Sequence, residues 1–180
     1  MKFSLRFAAL AALAFAAADT AGAEDTLPLP DYPVARDVPG ARLLPDPKLE
    51  YKVVFDAAIA ADDVDDVNPM LAGVARYVNT LAKFGVPAEH RKIAVVLHQK
   101  ATPVILRSEA FKARNDGHDN PNIALIRELD AAGVEFHVCG QAVLGAGIDP
   151  ADILDEIQLD LWALTTLIEF GRRGYVRIGG

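Results

Sequence analysis

The sequence predicts an α/β fold: a three-layer sandwich with a mostly parallel central sheet flanked by helices. Three observations carry that expectation. Short β-branched apolar runs, YKVVF at 51–55 and IAVVL at 93–97, have the composition of parallel strands covered on both faces. Segments of helical periodicity lie between the runs, introduced by a capping side chain and a proline at Asn68-Pro69, Thr102-Pro103, Asn120-Pro121 and Asp149-Pro150. Strand and helix then alternate along the chain, as they do in one layered domain.

Residues 1–23 read as an export signal. Lys2 and Arg6 supply the positive start, residues 8–18 an apolar stretch, and Ala21-Gly22-Ala23 a small-residue cleavage pattern before Glu24. The stretch is too short to span a bilayer comfortably and no second one follows. The mature chain is therefore expected to be periplasmic or secreted, with no membrane span after cleavage. Cleavage leaves 157 of 180 residues, enough for one domain with a core. It removes Lys2, Arg6 and Asp19 and so moves the formal charge from −7 to −8. So acidic a chain is repelled by nucleic-acid phosphates and anionic lipid, and no basic cluster offsets this. Nucleic acid is excluded as a partner.

Residues 24–50 hold six of the 11 prolines, which favours an extended arm and forbids a helix or central strand. Leu27, Leu29, Tyr32, Val34, Leu43 and Leu44 make it too apolar for a spacer. The arm is expected to lie against the domain or a neighbouring subunit.

The domain proper occupies 51–180. After Asn68-Pro69, Leu71, Val74, Val78 and Leu81 repeat at helical spacing until Gly85; after Asn120-Pro121, Ile123, Ile126 and Leu129 do so until Gly133. Residues 134–138, VEFHV, alternate instead. Val134, Phe136 and Val138 share one face of a strand; Glu135, His137 and Cys139 share the other. A last helix is expected from about Leu161, capped by Asp160, to Arg172 and Arg173, and a last strand over 175–178. The expected order is β–α–β–α–α–β–α–α–β. The acidic run at 61–66 lacks the glycine and distal glutamate of a calcium loop and reads as a solvated loop. His90 and His118 sit in polar loops.

Ligands gather at the carboxyl ends of strands in open α/β sheets. His98-Gln99 follows the strand at 93–97 and Cys139-Gly140-Gln141 follows that at 134–138, so parallel strands put both on one rim. Cys139 is the only cysteine, and no internal disulfide can form. It is either a buried filler or a reactive thiol. In the second case an imidazole, or N–H groups from the glycine-led segment 140–143, would favour the thiolate that attacks. His98, His137 and Cys139 offer three metal-ligating atoms, but no CxxC, HxxxH or carboxylate spacing backs them, so neither metal nor cofactor is expected. Phosphate-loop, dinucleotide and GxSxG signatures are absent.

The ordered set VVLH at 95–98, LDAAGVEFHVC at 129–139, Gly147-Ile148, LWALTTL at 161–167 and FGRRGY at 170–175 resembles the DsrE/DsrF-like family of sulfur-relay proteins, which has the YchN-like fold. The resemblance covers about residues 50–180. It implies a small α/β domain that forms homo-oligomers, commonly trimers or hexamers. It also implies a cysteine that accepts sulfane sulfur as a persulfide and yields it to a thiol- or sulfur-carrying partner protein. Cys139 matches the strand-end cysteine of that pattern and His98 the histidine after the preceding strand. His137 and Gln141 are candidate polar neighbours that would tune the thiolate. Two departures stand out: Gln99 where family members often show glycine, and the export signal. The expected activity is that of a sulfurtransferase-like persulfide carrier; the alternative is a non-catalytic oligomeric binding or scaffold module of the same fold with an inert, buried Cys139.

Overall fold

The computed structural model describes residues 27–179; the export signal expected over 1–23 lies outside the described residues. Five strands form a single parallel sheet: β1 (Tyr51–Ala57), β2 (Arg91–Leu97), β3 (Val134–Cys139), β4 (Ile157–Asp160) and β5 (Val176–Gly179), in the order β4-β3-β2-β1-β5. The helices between them are α1 (Pro69–Lys83), α2 (Ser108–Arg114), α3 (Ile123–Ala131), α4 (Gly140–Gly145) and α5 (Ala163–Arg172). The expected α/β sandwich is therefore present, and its sheet is parallel throughout.

Strand alternation divides the core in two. Val53, Phe55, Ile93, Val95, Val134 and Phe136 point to the face covered by α1 and α3, where Leu71, Val74, Leu125 and Ile126 complete the larger cluster. Val54, Ala94, Val96 and Cys139 point the other way, where α5 alone supplies Ala163, Leu167 and Phe170. Phe170 is fully buried, and its ring meets His137 edge-on at 5.1 Å and Tyr175 at 4.9 Å. One helix thus holds down the second face, largely through one aromatic side chain.

The punctuation works unevenly. Asn68 caps α1, its side-chain oxygen accepting from the Met70 N–H at 3.0 Å, with Pro69 in the first position. Thr102-Pro103 opens no α-helix; it lies inside a 3₁₀ segment, Gln99–Ile105, and α2 begins only at Ser108. Asn120 does not cap α3 directly. It is buried and its amide donates to the Val104 and Leu106 carbonyls, while its oxygen receives the Asn122 N–H. Asp149-Pro150 begins a single 3₁₀ turn, Pro150–Asp152, in place of the expected helix. The chain then enters β4, a strand absent from the expected order. Only Ile157 of its four residues is buried, so this edge strand carries almost no apolar pattern to read. Asp160 ends β4 and does not cap α5, whose first flanking residue is Trp162.

Residues 27–50 contain no helix or strand and are fastened along α1. Leu29 is fully buried in the larger cluster. Asn79, equally buried on α1, accepts from the Leu29 N–H at 3.1 Å and donates to the Leu29 and Tyr32 carbonyls at 2.7 and 3.0 Å. Thr80 Oγ1 receives the Ala35 N–H, and Lys83 donates to the Ala35 carbonyl and pairs with Asp37. A buried amide in mid-helix whose partners are all backbone atoms of the arm exists to hold that arm. Asn79→Ala removes the partner of the Leu29 N–H and the Asn79 donor to the Tyr32 carbonyl, while the Leu29 carbonyl keeps the Tyr32 N–H. It is expected to lower stability by about 1–3 kcal/mol in denaturant unfolding, and to open residues 27–35 to limited proteolysis.

Candidate functional site

Parallel strands bring their carboxyl ends to one edge, and four of them deliver a chemically distinctive side chain there on the α5 face. Asp56 is the penultimate residue of β1. Its side chain is fully buried, and it pairs in register with Val96, which pairs with His137 on β3. Two residues further along, the same rows bring His98 and Cys139 to adjacent strands. His98 keeps an extended backbone (φ −159°, ψ 179°), so its side chain continues the alternation of β2.

Two polar clusters result. In the first, Asp56 Oδ1 lies 2.5 Å from His98 Nε2, and Oδ2 pairs with the Arg177 guanidinium of β5. A carboxylate in that position makes Nε2–H the donor, so the neutral ring presents Nδ1 as its acceptor. In the second, His137 Nδ1 lies 2.9 Å from Asp160 Oδ2, which also receives the Thr166 hydroxyl of α5 at 2.7 Å; Gln158 donates to Asp160 Oδ1 at 2.7 Å. Burial pushes the Asp160 carboxyl up, but the Thr166 and Gln158 hydrogen bonds and the neighbouring His137 outweigh it and hold it below its ordinary value.

A cavity of about 620 Å³ opens beside the first cluster. His98, Gln99, Cys139, Gln141 and Arg177 line it, and Trp162, Leu164, Leu167 and Ile168 form an apolar wall. Of the four residues singled out in the sequence, the structure brings Cys139, His98 and Gln141 into this one space. His137 is not among its lining residues; it is turned to Asp160 and Phe170. Cys139 is 4 % exposed, belongs to the cluster of Val54, Val96 and Leu167, and is one of the residues lining the cavity.

Two backbone features hold Cys139 and His98 in place. Gly140 passes under the end of β4, where a Cβ would lie 2.6 Å from the Asp160 carbonyl oxygen and 3.3 Å from that of Leu161. Both are backbone atoms that cannot swing away, so only glycine lets the chain turn there from Cys139 into α4. Gln99 adopts φ +51°, the left-handed region that costs a side-chain-bearing residue about 1 kcal/mol or more. The glycine that the resemblance leads one to expect at 99 would take this conformation freely; the glutamine is held in it and lends a side chain to the cavity wall.

Asp56 and Arg177 went unmarked in the sequence. Their signals were present: an acidic residue closing an otherwise apolar strand, and an arginine alternating with Val176 and Ile178 in the last one. Both are weak until strand order shows that β5 lies beside β1.

The DsrE/DsrF-like family matches residues 51–178, from the first residue of β1 into β5. The chain belongs to this family. A solved structure of a protein of unknown function, MTH1491 from Methanobacterium thermoautotrophicum, is similar at 21% identity with a TM-score of 0.49, covering 72% of this chain and 98% of that one. No match is found among curated proteins.

Gly140→Ala is expected to destabilise the domain and to change the alkylation rate of Cys139 in the native state, because the β3–α4 junction must shift. Asp160 contributes stability that is complete above the ordinary carboxyl value of about 4 and is lost as pH falls through its lower folded value. Asp160→Asn should flatten the acid limb of the stability curve below about pH 4, read by thermal unfolding across pH.

Proposed function

We propose that this DsrE-family protein is an exported sulfur carrier that takes up sulfane sulfur on Cys139 as a persulfide and yields it to a second thiol. The observation that supports this reading is that the chain's only cysteine forms part of the cavity wall at the carboxyl edge of the sheet, one strand from a histidine oriented by a buried carboxylate.

The chemistry is thiol exchange. With the Cys139 proton removed, for which His98 on the same cavity lining is the available base, the sulfur attacks the sulfane sulfur of a donor. A new S–S bond forms at Cys139 as the donor's S–S bond breaks, and the leaving thiolate departs with the electron pair. A second thiolate then attacks the outer sulfur and restores the Cys139 thiolate. Asp56 positions His98, Gln141 flanks the sulfur from α4, and His137 ties β3 to β4 through Asp160.

The carrier is further proposed to be a homo-oligomer, a trimer or hexamer. All four residues of β5 are exposed, Val176 at 64 % and Ile178 at 43 %, on a strand whose outer edge has no partner among the described residues. Apolar open edges of this kind invite pairing with another chain. Size-exclusion chromatography with light scattering should show an assembly that Val176→Lys converts to monomer.

The alternative, a binding or scaffold module with an inert thiol, is favoured by one observation: Cys139 is 4 % exposed. Exposure to inorganic polysulfide followed by intact-mass measurement separates the two. A gain of one sulfur atom, reversed by a thiol reductant and absent in Cys139→Ser, is expected. An unmodified mass, with no alkylation of Cys139 in the folded protein, would leave the scaffold reading standing.

A further inference from the structure

We infer that the Cys139 cavity is built for a small organic persulfide carrying a carboxylate, in preference to an inorganic sulfur species. The inference rests on the carrier reading above and adds to it the class of donor.

Size comes first. A single sulfane sulfur on an inorganic chain needs little more than a channel to the thiol, whereas about 620 Å³ is the space of a ligand-binding pocket. Surface chemistry comes second. One side of the cavity is carbon: Trp162, Leu164, Leu167 and Ile168 of the segment entering and forming α5. Three of these four are partly or largely open, Trp162 at 46 %, Leu164 at 52 % and Ile168 at 57 %, so they present contact area to whatever enters. Inorganic polysulfide or thiosulfate has no carbon skeleton to lay against such a wall; the organic body of a thiol has.

Charge comes third. The chain carries 25 acidic and 18 basic residues, yet among the described residues no aspartate or glutamate lines this cavity. Asp56, the nearest acid in the cluster, has a fully buried side chain and does not form part of the wall. Its two oxygens hold His98 and Arg177, both of which line the space. The polar side of the cavity is accordingly made of donors: the Arg177 guanidinium, 55 % exposed, and the amides of Gln99 and Gln141. A guanidinium with free N–H groups is suited to a carboxylate. A thiol at one end, a guanidinium at another and an apolar wall beside them match R–S–SH with a carboxylate on R.

The transfer balances without any further reagent. The Cys139 thiolate attacks the terminal sulfur of R–S–SH, the donor's S–S bond breaks, R–S⁻ leaves with the electron pair, and the terminal sulfur with its hydrogen stays on Cys139 as Cys–S–SH. One thiolate is present before and after, and the carboxylate on R is unchanged.

The test follows persulfidation of Cys139 by mass in the full folded protein with three probes: N-acetylcysteine persulfide, the neutral 2-hydroxyethyl persulfide, and inorganic polysulfide. The expected result is labelling by the carboxylate-bearing probe about ten-fold faster than by the neutral one, a ratio equivalent to one bound charge pair. Arg177→Gln should bring that ratio to about one, and Arg177→Lys should restore part of it. The thermal unfolding of both variants reports whether the fold survives, and the rates are compared at a temperature at which each variant is fully folded. Equal rates for the two organic probes in the wild type, or a ratio untouched by Arg177→Gln, overturn the inference while polysulfide labelling keeps the carrier reading. Failure of all three probes to label Cys139 overturns both.

Discussion

A carboxylate on the penultimate residue of a fully covered parallel strand is expensive to bury, and Asp56 is fully buried. Its two oxygens must therefore find donors, and the topology supplies them from both neighbours: His98 from the end of β2 and Arg177 from β5. That requirement links parts of the chain 121 residues apart. It explains why the C-terminal strand, short and exposed, returns across the whole sheet to lie beside β1. It also orients the His98 ring, because an acceptor at Nε2 settles which nitrogen keeps the proton.

The same face shows what a single covering helix can and cannot do. α5 buries Ala163, Leu167 and Phe170 over the middle of the sheet and leaves the strand ends on either side to pair their own polar groups. On the β3–β4 side, His137, Asp160, Gln158 and Thr166 satisfy one another, and the Phe170 ring packs against His137. On the β1–β2–β5 side the pairing is between Asp56, His98 and Arg177, and space remains. Cys139 lies between the two clusters, in contact with α5 on one flank and the cavity on the other. Strand alternation put His137 and Cys139 on one face, but of the two only Cys139 lines the cavity.

How much of this could be read in advance follows from how local each signal is. The strands YKVVF, IAVVL and VEFHV were legible because an apolar run or an alternation is complete within five residues. α1 was legible because its cap, its proline, its periodicity and its terminal glycine all agree. β4 was not, since a four-residue edge strand with one buried side chain has no pattern of its own, and an aspartate before an apolar run reads equally well as a helix cap. Thr102-Pro103 and Asp149-Pro150 misled for a related reason: the cap geometry at Asp149 is real, its oxygen receiving the Ala151 N–H at 2.9 Å, but tertiary contacts stop the turn after three residues. At the site, Cys139, His98 and Gln141 could be placed on one rim from strand ends alone, whereas Asp56 and Arg177 needed the non-local fact that β5 pairs with β1.

The burial of Cys139 bears on both readings of its role, and the decisive quantity is direction rather than area. A thiol 4 % exposed and surrounded on all sides by Val54, Val96, Leu167 and their like would be inert. One of the same exposure whose open side faces a cavity is screened from large partners and from chance oxidants but not from a ligand that fits the space. Such shielding suits a lone cysteine, which has no second thiol in the chain to resolve an unwanted oxidation. Under the proposed transfer it also constrains the second step, because an acceptor thiol would have to enter by the same opening. A folded acceptor would have to present that thiol on an extended terminus or loop, slender enough to pass between Arg177 and the Trp162–Ile168 wall. If the proposed transfer holds, the geometry that shields the sulfur also limits which acceptor thiol can reach it.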